Sequence, residues 1–380
     1  MTPISQNTEY LLKAVGAALE ERTAPLPPAG LDFAALYEFA DEQRLAAAAY
    51  HGLYRLGLDE AAMEPFKKAH RQSVVQSLMA DREFARISRE FEKRGLDYCP
   101  LKGFWTRELY PDRTMRKMSD LDILIHTEDT DAFSAAMTDL GYECTRFRMT
   151  DEDIYVMNGM TIELHRKLDD MGLENADYYS DPWKFTENVS GRLYKLRRED
   201  AYLFTLSHTM KHFMYSGIGL RPLADILLFM RKAGLNREYV EAEAEKMGIT
   251  DFMRAMEKTA NAAFGGAEPD EASAEIIEFM AGSGIKGTKG NLRAARYLRS
   301  RSKLGFYLRV LFPSVTTMKL RDPILVKAPV LLPFMYVRRW FQLLFTKRES
   351  LHIGLEEVRH ANSAEAERLR RIHELAGIKK

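Results

Sequence analysis

The stretch Leu101–Ile125, LKGFWTRELYPDRTMRKMSDLDILI, decides how the rest of the chain is read. Its end, Asp120-Leu121-Asp122-Ile123-Leu124-Ile125, starts with alternating acidic and apolar positions and predicts a β-strand over 120–126. Residues i and i+2 of a strand project from one face. Asp120 and Asp122 therefore point together, while Leu121 and Ile123 point the other way. Two carboxylates on one face repel each other unless a cation sits between them. Hard divalent ions take oxygen donors of this kind and complete their shells with substrate phosphates. Taken alone, the pair also fits a solvated strand end.

Upstream, residues 96–101 form a short extended run entered from Gly95. Lys102-Gly103 then reads as a turn into a helix over 103–110. A strand, a glycine turn and a helix leave backbone N–H groups where phosphate binds well, and Lys102 adds a cation. Downstream, Ile154–Met157 and Met160–His165 flank Asn158-Gly159, the strongest short-range hairpin signal. Glu163 and His165 share a face of the second strand. If that strand lies beside the Asp120 strand, Glu163 becomes a third carboxylate. Three acidic groups and two metal ions suit nucleotidyl transfer: one ion activates the attacking hydroxyl and the other steadies the leaving pyrophosphate. His165 either bonds Glu163 or substrate, or is satisfied within its strand; the second role is preferred.

These residues resemble the polymerase-β-like nucleotidyltransferase superfamily, and more closely a large bacterial group of uncharacterised nucleotidyltransferases. Leu101-Lys102-Gly103, Leu109-Tyr110-Pro111, Arg116, Asp120-Leu121-Asp122 and Glu163-Leu164-His165 carry the resemblance over about residues 90–170. His208–His212, Arg221–Asp225 and Leu311–Ser314 extend it more loosely. The resemblance implies an enzyme that moves a nucleoside monophosphate from an NTP to a hydroxyl acceptor and releases pyrophosphate, with Mg²⁺ (or Mn²⁺) as cofactor. Asp120, Asp122 and Glu163 are then the catalytic and metal-binding carboxylates, with Glu163 completing the cluster or taking the hydroxyl proton. Lys102 and Gly103 hold phosphates. Arg116 clamps the triphosphate with its planar fork, or else is a surface-loop arginine. Lys211 and His212 lie on a helix over the site and touch base, ribose or phosphate. The acceptor is open: a sugar, a small molecule, RNA or a protein. The alternative is a non-catalytic nucleotide-binding or scaffold protein of a surface-polysaccharide or peptide-modification pathway. Three clustered carboxylates count against it.

The expected fold class is α+β: a small mixed β-sheet nucleotidyltransferase core flanked by N-terminal and C-terminal helical regions. The strands expected are 96–101, 120–126, 142–148, 153–158 and 160–166, with a second helix over 128–140 and helices on one side of the sheet. The divisions are 1–95, helical; 96–195, the α/β core; 196–302, a helical domain over the site; and 303–380, an apolar and amphipathic region. In the long helix ending at Arg94, Val74, Val75, Leu78, Phe84 and Ile87 form the expected apolar side. Beyond Trp183 the pattern is helical almost throughout. His208 and His212 are one turn apart, without the third ligand of a zinc site. Arg221 and Asp225, at i and i+4, read as a helix ion pair. Gly282–Gly290 reads as a flexible connection, and 364–375 as an exposed charged helix.

Composition bounds the remaining possibilities. With 380 residues the chain buries a sizeable core. Lys+Arg and Asp+Glu are both 55, so no global basic field announces nucleic acid. Cys99 and Cys144 make neither a disulfide framework nor a zinc site. The N-terminus lacks a basic segment followed by an apolar one, so a cytoplasmic location is expected. Segment 304–346 is unusually apolar but is broken by Lys327, Arg338 and Arg339. Either it covers the catalytic region, or it rests on the inner face of a membrane as a basic amphipathic surface.

Overall fold

Apolar residues at alternate positions of β2 (Asp120–Ile125) and β5 (Met160–His165) build the centre of a seven-stranded mixed sheet. The computed structural model describes residues 4–168, 177–284, 287–300, 311–342 and 363–378. The other strands are β1 (Tyr98–Pro100), β3 (Glu143–Arg146), β4 (Glu152–Met157), β6 (Thr186–Ser190) and β7 (Leu193–Leu196), in spatial order β3-β4-β5-β2-β1-β7-β6. β2–β5 and β1–β7 pair in parallel and the rest antiparallel. Helices flank this sheet at both ends of the chain, so the architecture is α+β. The Asn158-Gly159 turn has φ of 50° and 78°, the two left-handed residues of a primed hairpin turn, and it sets Met157 directly opposite Met160.

Before the sheet lie α1 (Gln6–Leu19), α2 (Phe33–Glu42), α3 (Ala46–Leu53) and α4 (Glu60–Arg94). α5 (Gly103–Thr106) and α6 (Thr130–Asp139) lie within the sheet region. After it come α7 (Arg198–Tyr215), α8 (Arg221–Lys232), α9 (Arg237–Met247), α10 (Thr250–Phe264), α11 (Glu271–Ser283) and α12 (Lys289–Ser300). One face of the sheet gives Leu121, Ile123, Ile162 and Leu164 to a core with Ile87 and Phe91 of α4 and Phe133 of α6. The other face gives Cys99, Leu101 and Leu124 to a larger core that runs from α1 through α11. Each fully buried Ile or Phe contributes about 1.5–3 kcal/mol. That burial offsets the cost of placing charged side chains in the same sheet.

Several expectations need correction. Helices cover both faces of the sheet, not one. The hairpin β6–β7 stands where helix was expected; β6 is largely exposed and β7 is a half-buried strand of four residues, too short to show apolar alternation. The helix expected over 103–110 is one α-turn, Gly103–Thr106, followed by a 3₁₀ turn, Arg107–Leu109. On α4, Val75 and Leu78 are exposed, and the buried stripe is Phe66, Ala69, Ser73, Ser77, Ala80, Ile87 and Phe91. Small residues let the Arg113–Met115 turn approach closely, and Ser73 Oγ donates to Thr114 O at 2.6 Å. The charged helix near the C-terminus, Ser363–Leu375, is not free: Leu369 and Ile372 are buried in the larger core. The connection after Gly282 is anchored, since Thr288 N donates to Ser216 O at 2.8 Å. A Cβ on Gly287 would meet that same oxygen at 2.3 Å. Of the apolar segment, 304–310 and 343–346 lie outside the described residues, as do 285 and 286.

Candidate active site

The parallel register of β2 on β5 places Asp122 directly opposite Glu163, Asp120 opposite Thr161 and Leu124 opposite His165. Paired residues share a face, so Asp120, Asp122, Glu163 and His165 all stand on one side of the sheet. His165 Nε2 donates to Asp122 Oδ1 at 2.9 Å and lies 3.5 Å from Glu163 Oε2. Lys102 Nζ lies 3.3 Å from Asp122 Oδ2. Asp122, Glu163 and His165 each present a ligand atom within 4.8 Å of the others. Among the described residues that is the one group of three such donors. Two carboxylates and an imidazole whose Nε2 has given up its proton would fit a hard to intermediate divalent ion, with the imidazole suiting Mn²⁺ as well as Mg²⁺. Asp120 stands outside this group, one step along the strand.

A cavity of about 370 Å³ opens beside the strands. Its walls include Lys102, Gly103, Asp120 and Asp122 from the sheet region and His208 and His212 from α7. Arg44, Lys117, Ser119 and Arg221 also line it. Five Lys or Arg residues, Arg116 included, face two aspartates there. The balance suits a polyanion. Glu163 and Lys211 are not part of the wall. The charge on Lys211 is still felt beside Glu163, Glu152 and Asp151, with burial and Lys102 pressing its ammonium below the usual range.

The electrostatics follow from crowding. Burial opposes the charge on Asp122, but Lys102 and the His165 hydrogen bond outweigh it and hold the carboxyl well below the ordinary range. Dehydration in the cleft, then the neighbouring Asp122, raise the Asp120 carboxyl against the pull of Lys102. Burial works against the Lys102 ammonium, yet Asp122, Asp120 and Glu163 raise it overall, so it stays charged. His165 is likewise raised, the Asp122 and Glu163 hydrogen bonds outweighing burial. Burial pushes His208 well below 6.5 and His212 down to about 4, so both stay neutral. Their rings meet edge to face at 4.5 Å.

The backbone at Lys102 is unusual. Its φ of 41° and ψ of −119° lie in a region that side chains rarely occupy. Such strain costs of order 1–3 kcal/mol and persists where its surroundings impose it. Lys102 O accepts from Thr106 N and Thr106 Oγ1, and the ammonium is drawn to Asp122. The following residue is held to glycine by its surroundings: a Cβ on Gly103 would lie 2.4 Å from Arg116 Nη1. With α5 only one turn long, helix-end N–H groups contribute little to phosphate binding here.

Arg116 differs from its expected role. Its Nε and Nη2 both bind Asp225, at 2.8 and 2.9 Å, and Tyr110 OH donates to the same carboxylate at 2.7 Å. All three residues are buried. Arg116 reaches the cavity wall, but its fork is engaged by Asp225 rather than left for a triphosphate. Asp225 therefore pairs with Arg116, not with Arg221 as helix spacing suggested. Arg221 instead donates to Lys117 O at 3.2 Å, and its buried Nε has no hydrogen-bond partner. Arg221 and Arg44 are the cavity cations that sequence spacing alone did not place. Arg44 lies in the N-terminal helical region at a φ of 58°, far along the chain from Asp120.

No curated protein and no solved structure matches this chain. A family profile described as "Uncharacterised nucleotidyltransferase" matches residues 29–265, which spans α2 through α10 and the whole of the site. With well over half of its length matched, the chain belongs to the uncharacterised nucleotidyltransferase family.

Proposed function

We propose that this protein transfers a nucleoside monophosphate from an NTP to a hydroxyl-bearing acceptor and releases pyrophosphate, with a divalent metal ion required. The observation that carries the proposal is the Asp122–Glu163 pairing across β2 and β5, beside a cation-lined cavity. Asp122, Glu163 and His165 are the residues that would hold the ion, Mg²⁺ or Mn²⁺. Bound there, it would neutralise phosphate charge and lower the pKa of a coordinated hydroxyl.

The chain's own residues supply the rest. Lys102 and Arg221 draw the triphosphate into the cavity, with Arg44 and Lys117 at its edge. Arg116 holds Gly103 and the Lys102 turn in place through Asp225. Asp120, the second carboxylate in the wall, accepts the proton of the acceptor hydroxyl. That oxygen then bonds to the α-phosphorus, and the bond from the α-phosphorus to the bridging oxygen breaks. Pyrophosphate leaves with the bonding pair, steadied by Lys102. His208 and His212 stay neutral and pack beside base or ribose without adding charge. Catalysis of this type rests on positioning and charge neutralisation.

Calorimetric titration of metal–NTP into the protein tests the binding half. Saturable binding that needs Mn²⁺ or Mg²⁺ and is lost in Asp122→Asn supports the proposal. Binding unchanged in that variant contradicts it.

A further inference from the structure

We infer that residues 311–342 form a docking surface for an anionic membrane. Three short helices, Val315–Arg321, Ile324–Lys327 and Leu332–Phe341, make up the unit. Among the described residues its polar contacts close on itself. Trp340 Nε1 donates to Leu311 O at 2.9 Å, Tyr336 OH donates to Pro313 O at 2.6 Å, and Arg338 pairs with Asp322. Met318 and Leu325 are buried inside it but belong to neither core of the molecule.

What the unit shows outward is apolar. Val330 is 79% exposed, Phe334 69% and Ile324 52%. Leu320 and Val337 are exposed as well. Scattered exposed apolar residues need no explanation, but a run of them within one small unit marks an interaction surface. The charge says which kind. Between Leu311 and Gln342 the sequence carries five Lys or Arg (Lys319, Arg321, Lys327, Arg338 and Arg339) and a single acidic residue, Asp322, although the whole chain is neutral. Large apolar side chains with lysine and arginine, and almost no acid, match a headgroup region of anionic lipid. Nucleic acid would reward the charge but not exposed Val330, Ile324 and Phe334. No helix among the described residues is long and apolar enough to cross a membrane, so contact here is with a surface. The proposal is independent of the catalytic one, because no residue of the unit lines the cavity.

Vesicle flotation tests it, using the full chain, phosphatidylcholine vesicles with and without phosphatidylglycerol, and two salt concentrations. The expected result is flotation with the phosphatidylglycerol vesicles alone, weakened by salt. Val330→Asp combined with Phe334→Asp should reduce binding about tenfold or more. Both side chains are exposed, so metal–NTP binding and circular dichroism should not change. Three results would overturn the inference: no flotation, equal binding of the double variant, or tight binding to RNA that the double variant keeps. A fourth would also overturn it: a dimer, seen by light scattering, that the double variant dissolves while vesicles never bind.

Discussion

Arg116 and Asp225, 109 positions apart, form a buried two-point ion pair at the cavity wall. It joins the loop before β2 to α8, and Tyr110 adds a third group. Three residues that carry the family resemblance, Tyr110, Arg116 and Asp225, therefore meet at one point beside the Lys102–Gly103 turn. Removing one partner of such a pair leaves an uncompensated buried charge. Asp225→Ala should destabilise the protein by about 3–5 kcal/mol, read by chemical denaturation. Arg116→Met with Asp225→Leu should recover most of that loss. A loss under about 1 kcal/mol for Asp225→Ala contradicts the assignment. Gly103→Ala should also destabilise, since the new methyl meets an arginine that Asp225 holds still.

Strain at Lys102 has its own test. Lys102→Gly and Lys102→Ala both remove the ammonium beside Asp122, so their difference isolates the backbone. Glycine accepts a φ of 41° and alanine does not. Lys102→Gly should be the more stable by about 1 kcal/mol in thermal or urea unfolding. Equal stabilities would mean that the turn relaxes freely. Neither variant should turn over substrate.

The sheet's inner strands, the hairpin and the two aspartates on one face were legible in the sequence because each rests on a short-range rule: alternation, an Asn-Gly turn, period two. Glu163 beside Asp122 needed a long-range pairing, and the family resemblance supplied it. Arg44 was not placed, and Arg221 was read as part of a helix ion pair. Nothing local links Arg44, in the turn between α2 and α3, to a strand that starts 76 positions later. Arg116 misled for a related reason. A conspicuous arginine near two aspartates suggests a ligand contact, but its partner was an aspartate on α8. The β6–β7 hairpin escaped notice because strands of four and five residues are too short to show periodicity, and the face of α4 was misplaced because serines, not leucines, make its closest approach.

Stability should fall with acidity in a defined window. Burial pushes His373, in the helix Ser363–Leu375, from 6.5 down to about 4. A histidine that stays neutral when folded but protonates when unfolded stabilises the fold fully above about 6.5. That stability is lost as pH falls from 6.5 towards 4, up to about 3 kcal/mol for one such group. His212 has the same sign and window. The contribution of these two rings should therefore be flat above pH 7 and should lower the melting temperature below pH 6, while the raised His165 acts with the opposite sign. His373→Leu should show a shallower drop. A wild-type melting temperature that rises on acidification contradicts the burial of these rings.

The central claim is that Asp120, Asp122 and Glu163 act together on a metal-bound NTP. The most direct measurement is pyrophosphate release from each NTP with Mg²⁺ or Mn²⁺, in the presence of a desalted cell extract as acceptor source. Wild-type protein should release pyrophosphate and label an acceptor from one or more α-labelled NTPs, and chelation should stop it. Asp120→Asn, Asp122→Asn and Glu163→Gln should each lose activity by about a thousandfold or more while keeping the fold. Pyrophosphate release by all three variants at the wild-type rate would contradict the account.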